Sequence, residues 1–371
     1  MYLFNYCKDS IVSKARQLAD SIGEGGINLF DNSGMQIAQR KTSDAQITTK
    51  DFVLDRWGVA RSGIGALSCN QTSSVKPPVA SSSLKVAVET TDAMATTTSH
   101  AEISQTVEAR KLGHLRWGTS LAKKLALSFY VRASIAGNYA IAVEQDDSDQ
   151  VYAKKYTINS ADSWEQKFLL IDANTGSGIT LDDGLGLTFN WVLDASSTKR
   201  GGLTNPQWLT DTTLSKIFPT DGPAFMNTSG ATFFLTGCKL EVGDFHTPWE
   251  EPLFQDELER CQRFFTKSYD YETAVGSSVT KGAMYERNTG SSVSNRCVNV
   301  NFPVEMRGTP TMLVYSLTGS SGNASDCDTN YTHARNDSTT LTNAGTKGVS
   351  QFQGAANADI FGFHYTADAE F

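Results

Sequence analysis

The sequence predicts an all-β protein: two β-sandwich, jelly-roll-like domains joined by a short helix, with another short helix at the N-terminus. Three observations predict it. Apolar and polar residues alternate with period two at short intervals along most of the chain. Gly, Ser, Thr and Asn are abundant, while long helical patterns are scarce. Beyond the N-terminus, the period changes to that of a helix at one place only, between two β-patterned halves. At 371 residues the chain is long enough for two domains that each bury a core without staples.

Residues 1–26 form the first segment. Ile11, Ala15, Leu18 and Ile22 recur at intervals of four, three and four, and Gly23 closes the pattern as a C-cap. The apolar stripe is thin, and a lone helix of this length is marginal in water. It must pack, either on its own β-domain or against copies of itself as a trimeric bundle or attachment peg.

Residues 27–251 form the first β-domain. The stretch from Ile27 to Trp57 has loop character. Strands follow: Leu84, Val86 and Val88 alternate with Lys85 and Ala87, and Ile103 and Val107 flank Gln105. Leu125, Leu127, Phe129 and Val131 alternate next, and the turn at Ala136–Asn138 leads to Tyr139, Ile141 and Val143 as a hairpin. Further strands centre on Tyr152–Ile158, Trp164–Ile171, Leu185–Leu193 and Thr232–Val242. The long insertion between Leu193 and Thr232, with Trp208, Phe218, Pro219, Pro223 and Phe225, covers an open end of the sandwich or serves function.

The stretch Gly237–Phe265 turns the corner between the halves. Cys238, Leu240 and Val242 alternate with Lys239 and Glu241 as a half-buried strand. After Pro248 and Trp249, which is expected to lock the two domains, Phe254, Leu258, Cys261 and Phe265 share one face of a helix spanning 252–265. Pro252 suits its start, and Asp256→Arg260 and Glu259→Arg263 are acid-to-base pairs at i,i+4.

Residues 266–371 form a smaller sandwich, a tip domain. Val298, Val300 and Phe302 alternate, as do Met312 and Val314, and Phe361, Phe363 and Tyr365 form a closing strand. The Ser-, Asn-, Asp- and Gly-rich stretch 319–348 reads as exposed loops or weak strands.

The corner stretch also resembles a known family. The phrases KLEVG, HTPWE and ELERCQRFF are similar to a QLEVG…TPFE…LCQRYY run that ends a β-sandwich module of bacteriophage tail fibre and receptor-binding proteins. Phe302–Thr311 (FPVEMRGTPT), Phe363–Phe371 (FHYTADAEF), NLFDNSG at Asn28–Gly34, DRW at Asp55–Trp57 and LSFYV at Leu127–Val131 also look like family landmarks. The first domain further resembles carbohydrate-binding modules. The resemblance implies a virion adhesion protein, made in the host cytoplasm and carried on the virion tail or fibre. It implies a homotrimer attached through its N-terminus to phage tail or other virion proteins, meeting host cell-surface glycan or lipopolysaccharide. A structural virion component (head fibre, collar or tail adaptor) is the alternative, and a glycan-degrading tailspike a further one.

The chemistry agrees with binding rather than catalysis. The net charge of −8 gives no basic field for nucleic acid, and no apolar run reaches membrane-span length. Six scattered cysteines without a CxxC pair predict buried free thiols, as in a reducing compartment. Metalloprotease, nucleophile-elbow and phosphate-loop motifs are absent, the five histidines stand apart, and no β-helix repeat of the depolymerase kind is visible, so no enzyme is expected. No cofactor is expected beyond a possible structural Ca²⁺ at the oxygen-rich loop of Asp146, Asp147 and Asp149, whose plainer reading is a solvated hairpin loop. Trp208, in the insertion, is the best candidate for an exposed sugar platform, its plainer reading being core or subunit-interface packing. In the tip domain, Tyr331, His333 and Arg335 alternate and would share a face if their segment is a strand, forming an aromatic–cationic glycan contact.

Overall fold

The computed structural model describes residues 26–371 apart from 41–44, 48, 64, 212–213, 288–295, 329 and 355–359. The N-terminal helix expected from Ile11, Ala15, Leu18 and Ile22 lies outside the described residues. Contacts divide the chain into two compact units. The first takes the described residues up to Met35, then Gln46–Asp51 and Gly58–Pro252; the second takes those of Gln36–Ala45, Phe52–Trp57 and Leu253–Phe371. The chain does divide near residue 252. A first domain running unbroken over 27–251 is corrected, because 36–45 and 52–57 pack with the C-terminal unit.

The first unit is a β-sandwich. One sheet orders Ala66–Thr72, Ser83–Thr90, Thr232–Val242, Leu125–Ala133 and Glu165–Ile171 side by side. The other orders Leu209–Thr210, Gln150–Ile158, Gly137–Gln145, Leu185–Ala195, His100–Glu108 and Trp57–Ser62. Alternation explains why the two faces meet. Leu127, Phe129 and Val131 turn inward from one sheet; Ile141, Val143, Phe189 and Trp191 turn inward from the other, all fully buried. Phe129 lies edge-on to Trp191 at 5.6 Å and to Tyr156 at 5.2 Å, and Tyr139 meets Phe233 at 5.6 Å.

All eight strands expected in this unit are present, but one connection differs. The strands either side of Ala136–Asn138 belong to opposite sheets, so this is a crossing, not a hairpin. Gly137, at φ +150°, lets the chain make it. The hairpin falls one strand later, where Gln145 pairs with Gln150 around Asp146–Asp149. The stretch Ile27–Trp57, expected to be loop, carries the short strands Ala45–Ile47 and Asp51–Leu54, and the strands Trp57–Ser62 and Ala66–Thr72 follow it.

The insertion closes an end of the core. Ile217, Phe218, Phe225 and Met226 are buried, with Phe218 against Tyr139 at 6.3 Å and Phe225 against Phe233 at 6.4 Å. Arg200 holds the insertion in place, donating to Asp194 Oδ1 (2.6 Å), Ala195 O (2.8 Å) and Gly222 O (2.8 Å).

The second unit is built on its closing strand, Ile360–Asp368. One edge pairs with Thr311–Ser316 and Asn323–Cys327, and the other with Phe265–Lys267 and Met284–Arg287. The odd residues Phe361, Phe363, Tyr365 and Ala367 enter an apolar cluster with Val298, Val300, Leu341, Val349 and Phe352. Those partners lie on Arg296–Asn301, His333–Gly345 and Gly348–Gly354, which therefore face the closing strand as the other layer of the sandwich. The 13-residue strand His333–Gly345 joins the layers: its first half pairs with Asn323–Cys327 and its second with Gly348–Gly354. The polar stretch 319–348 is therefore mostly strand, its polar residues alternating outward.

The helix between the halves spans Phe254–Gln262, with Leu253 as its N-cap and Pro252 one residue before that. Its buried face matches the expected one in part. Glu257 and Cys261 are buried, Phe254 is 43% exposed, Leu258 is only half-buried, and Phe265 already belongs to a strand. Arg260 meets Glu257 at 2.8 Å, an i,i+3 pair. The buried side of the helix therefore runs through Glu257 and Cys261, with Leu258 beside them, rather than through Phe254.

Candidate functional site

The first unit carries a ring cluster at one end of its sandwich. Trp208 sits in the insertion, one residue before the short strand Leu209–Thr210 that pairs with Val151 and Gln150. That pairing brings it over Tyr152 of the neighbouring strand, with ring centres 5.3 Å apart. Trp117, buried just before Leu125–Ala133, abuts it edge-on at 5.0 Å. Trp208 Nε1 donates to the backbone oxygen of Asp172 at 2.7 Å, so the indole is fixed in orientation while part of its surface stays open. Asp172 follows the strand Glu165–Ile171 and joins the cluster through its side chain too. It accepts from Tyr152 Oη at 3.1 Å and pairs with Lys124 Nζ at 3.2 Å, both partners of that ion pair about half exposed. Burial, then the Asp172 carboxylate, keeps the Tyr152 phenol protonated far above neutral pH.

Trp208 is the partly exposed ring of this cluster, backed by the buried Tyr152 and Trp117 and bordered by a carboxylate and an ammonium. A pyranose ring offers an apolar C–H face and a rim of hydroxyls, and such a surface answers both. Sequence pattern singled out Trp208 alone. Tyr152 read as one more strand residue, and Asp172 and Lys124 gave no sign, since only the fold brings residues 124, 152, 172 and 208 together.

The other expected site residues are placed differently. Trp191 is fully buried in the core, whereas Trp164 is half-exposed, 6.3 Å from Phe234. Trp249 is buried in the first unit, its indole nitrogen 3.2 Å from Ser33 Oγ. Asp146 and Asp147 engage protein partners: Asp146 accepts from Thr188 Oγ1 at 3.2 Å and Asp147 from the Thr180 amide at 2.6 Å. Among the described residues no group of three or more His, Cys, Asp or Glu is arranged to hold a metal ion.

Tyr331, His333 and Arg335 do not form one cluster. Tyr331 precedes the strand, in a left-handed turn at φ 63°, and lies edge-on to Tyr285 at 5.2 Å. A register shift pairs Asp326 with Arg335 but the next residue, Cys327, with His333. Adjacent residues of a strand face opposite ways, so the bulge puts His333 and Arg335 on opposite faces. Arg335 is moreover held between Asp326 and Asp337, each at 3.1 Å. The cysteines are free thiols, with Cys69, Cys238, Cys261 and Cys327 buried and Cys297 exposed; Cys7 lies outside the described residues.

No protein-family model matches the sequence, and no curated protein shows significant similarity to it. Solved structures offer remote likenesses. The enzymatically active domain of tailspike protein 4 of bacteriophage CBA120 aligns at 11% identity and a TM-score of 0.31, covering 58% of this chain and 21% of that one. This chain thus spans about a fifth of the tailspike domain's length. The family 11 carbohydrate-binding module of a Clostridium thermocellum cellulosomal cellulase aligns at 15% identity and a TM-score of 0.28, covering 56% of this chain and 99% of the module. TmCBM61, solved with β-1,4-galactotriose, aligns at 12% identity and a TM-score of 0.28 over 58% of this chain and 99% of its own.

Proposed function

We propose that this chain is a bacteriophage virion adhesion protein, a tail fibre or receptor-binding protein, that holds host surface glycan without catalysis. The observation that carries the proposal is the fixed, partly exposed Trp208 ring beside Tyr152, Asp172 and Lys124. Its indole is pre-oriented by the Asp172 carbonyl, so little conformational freedom is lost when a sugar stacks on it. Lys124 and Asp172 can donate to and accept from ring hydroxyls.

A single such platform binds weakly. In this reading the chain forms a homotrimer attached to the virion by its N-terminal segment, and shared attachment raises the effective concentration of the remaining platforms. The test is adsorption of the purified protein to host cells, with Trp208→Ala beside it. Because Trp208 packs on Tyr152 and Trp117, its truncation also lowers the melting temperature, so Lys124→Ala, at a 45%-exposed position, is measured beside it and should keep the wild-type melting temperature. Cell binding is expected to fall about tenfold in Trp208→Ala, the equivalent of one good stacking contact, and measurably in Lys124→Ala. Wild-type protein that neither binds cells nor competes with virions would sink the adhesin reading and leave a structural virion component. Breakdown of host polysaccharide by the isolated chain would replace binding with hydrolysis.

A further inference from the structure

We infer a second carbohydrate site, on the second unit, selective for neutral rather than anionic sugars. The even-numbered face of the closing strand is its floor. In register, Thr311 lies opposite Asp368, Leu313 opposite Thr366 and Tyr315 opposite His364, while Phe265 flanks Asp368 on the other side. The result is a groove of about 620 Å³, lined by Phe265, Leu313, Tyr315, Thr366, Asp368 and Arg40 among others. That volume lies within the range of about 300 to 1,000 Å³ common for small-ligand sites.

Leu313 does not face outward by accident of a loose strand. Its neighbour Val314 is buried in the apolar cluster, so alternation compels Leu313 onto the groove face, where it is 47% exposed. An exposed leucine beside a half-buried tyrosine supplies an apolar surface. The hydroxyls of Thr311, Thr366 and Tyr315 and the 40%-exposed carboxylate of Asp368 supply polar groups around it.

Charge decides the class of sugar. Arg40 is the cation of the lining, and its nitrogens are already engaged. Nε and Nη2 lie 3.4 and 3.1 Å from Asp368 Oδ2, and Nη1 lies 3.1 Å from Asp55 Oδ1 and 3.6 Å from Glu370 Oε1. The guanidinium also lies over Phe265, its central carbon 3.9 Å from the ring centre. Beneath, Glu370 pairs with Arg56 as well. An incoming carboxylate would meet Asp368 and Glu370 rather than an unengaged cation, whereas sugar hydroxyls can donate to Asp368 without disturbing its pairing. The groove lies on the face of the sheet and not along a strand edge, so it does not offer the backbone ladder that captures an extended peptide.

The proposal rests on the adhesion reading for its setting, though not for its chemistry. The test is ligand-observed NMR titration of the full chain bearing Trp208→Ala, which removes the first platform. The probes are methyl β-galactoside, methyl α-mannoside and methyl N-acetyl-β-glucosaminide, against glucuronic acid and N-acetylneuraminic acid. At least one neutral glycoside is expected to bind about tenfold more tightly than either acid, and Leu313→Ala or Asp368→Asn to weaken it about tenfold. Leu313→Ala, at an exposed position, keeps the test clear of folding. The inference is overturned if no neutral glycoside binds, if the acids bind better, or if Leu313→Ala leaves the titration unchanged. Cell adsorption failing while glycosides still bind would sink the adhesin reading and leave the groove standing.

Discussion

The two units hold themselves together by different physics. The first is sealed by interlocked rings: Phe30, Phe129, Phe189 and Trp191 meet edge to face from both sheets, and the insertion adds Phe218 and Phe225. The second has an apolar layer on one side of its closing strand and an ionic network on the other. Asp55 is fully buried there, and Arg40 bridges it to Asp368 while lying within 3.6 Å of Glu370. Burial pushes the Asp55 carboxyl up to about 6, and the adjacent Arg40 charge pulls it only partly back. An apolar core tolerates imperfect partners at a modest cost. A buried charge does not.

The largest effect should therefore come from breaking the network. Arg40→Met leaves Asp55 buried without its cation and should destabilise the second unit by roughly 3–5 kcal/mol at pH 7. The penalty should shrink toward pH 5, because Asp55, its pKa raised further by the loss of Arg40, can then be buried neutral. Hydrogen exchange along Ile360–Asp368 would follow the second unit. Tryptophan fluorescence would follow mainly the first, where Trp117, Trp164, Trp191, Trp208 and Trp249 lie, against Trp57 in the second. A cost below about 1 kcal/mol at pH 7 would show that the unit does not depend on this charge pairing.

The same contrast explains what the sequence revealed. Leu125–Val131 and Phe361–Tyr365 are legible because a strand with one buried face must alternate, whatever lies opposite. Arg40 and Asp55 gave no such signal, since the stretch Ile27–Trp57 has neither period and the further acidic partners of Arg40, Asp368 and Glu370, lie more than three hundred residues onward. The helix was legible in existence and only partly in facing: Cys261 is buried as its spacing suggests, yet Phe254 lies largely exposed and Glu257 is buried as well. Trp208 stood out by residue type and position in an insertion, whereas Asp172 and Lys124 were invisible until the strands placed them. The groove was missed for a related reason. Leu313 follows a strand period correctly but on the face that pattern reasoning assigns to solvent.

A smaller effect separates the units by pH. In the first, Glu144 is pushed up to about 7, chiefly by burial and then by the neighbouring carboxylates Glu102 and Asp146, with Asn190 and Lys50 opposing. An acid whose folded pKa is raised favours the native state only while protonated. Its contribution is complete below the unfolded value near 4.5, declines as pH rises, and is lost above about 7. Glu144→Gln should remove that decline, making the first unit about 2 kcal/mol more stable than wild type at pH 8 and little different at pH 4. Urea melts followed by tryptophan fluorescence at the two pH values would read it. A gain of equal size at both would mean that packing, rather than ionisation, is responsible.

The smallest expected effect concerns the helix of the second unit, which begins without a side-chain cap. Leu253 occupies the N-cap with extended φ and ψ of −64° and 135°, is 73% exposed, and offers no acceptor to the first amides of Phe254–Gln262. Asp256 and Glu257 in the first turn already complement the helix dipole, so the missing element is the local hydrogen bond and not the charge. Leu253→Ser adds that acceptor without adding charge, and it removes an apolar side chain from solvent rather than from a core. It should stabilise the helix by about 0.5–1 kcal/mol, seen as slower amide exchange in its first turn while exchange in the first unit is unchanged. Slower exchange in both units would mean that the effect is not local. Faster exchange in the helix would show that Leu253 packs against a partner, in which case this exposed leucine is part of an interface.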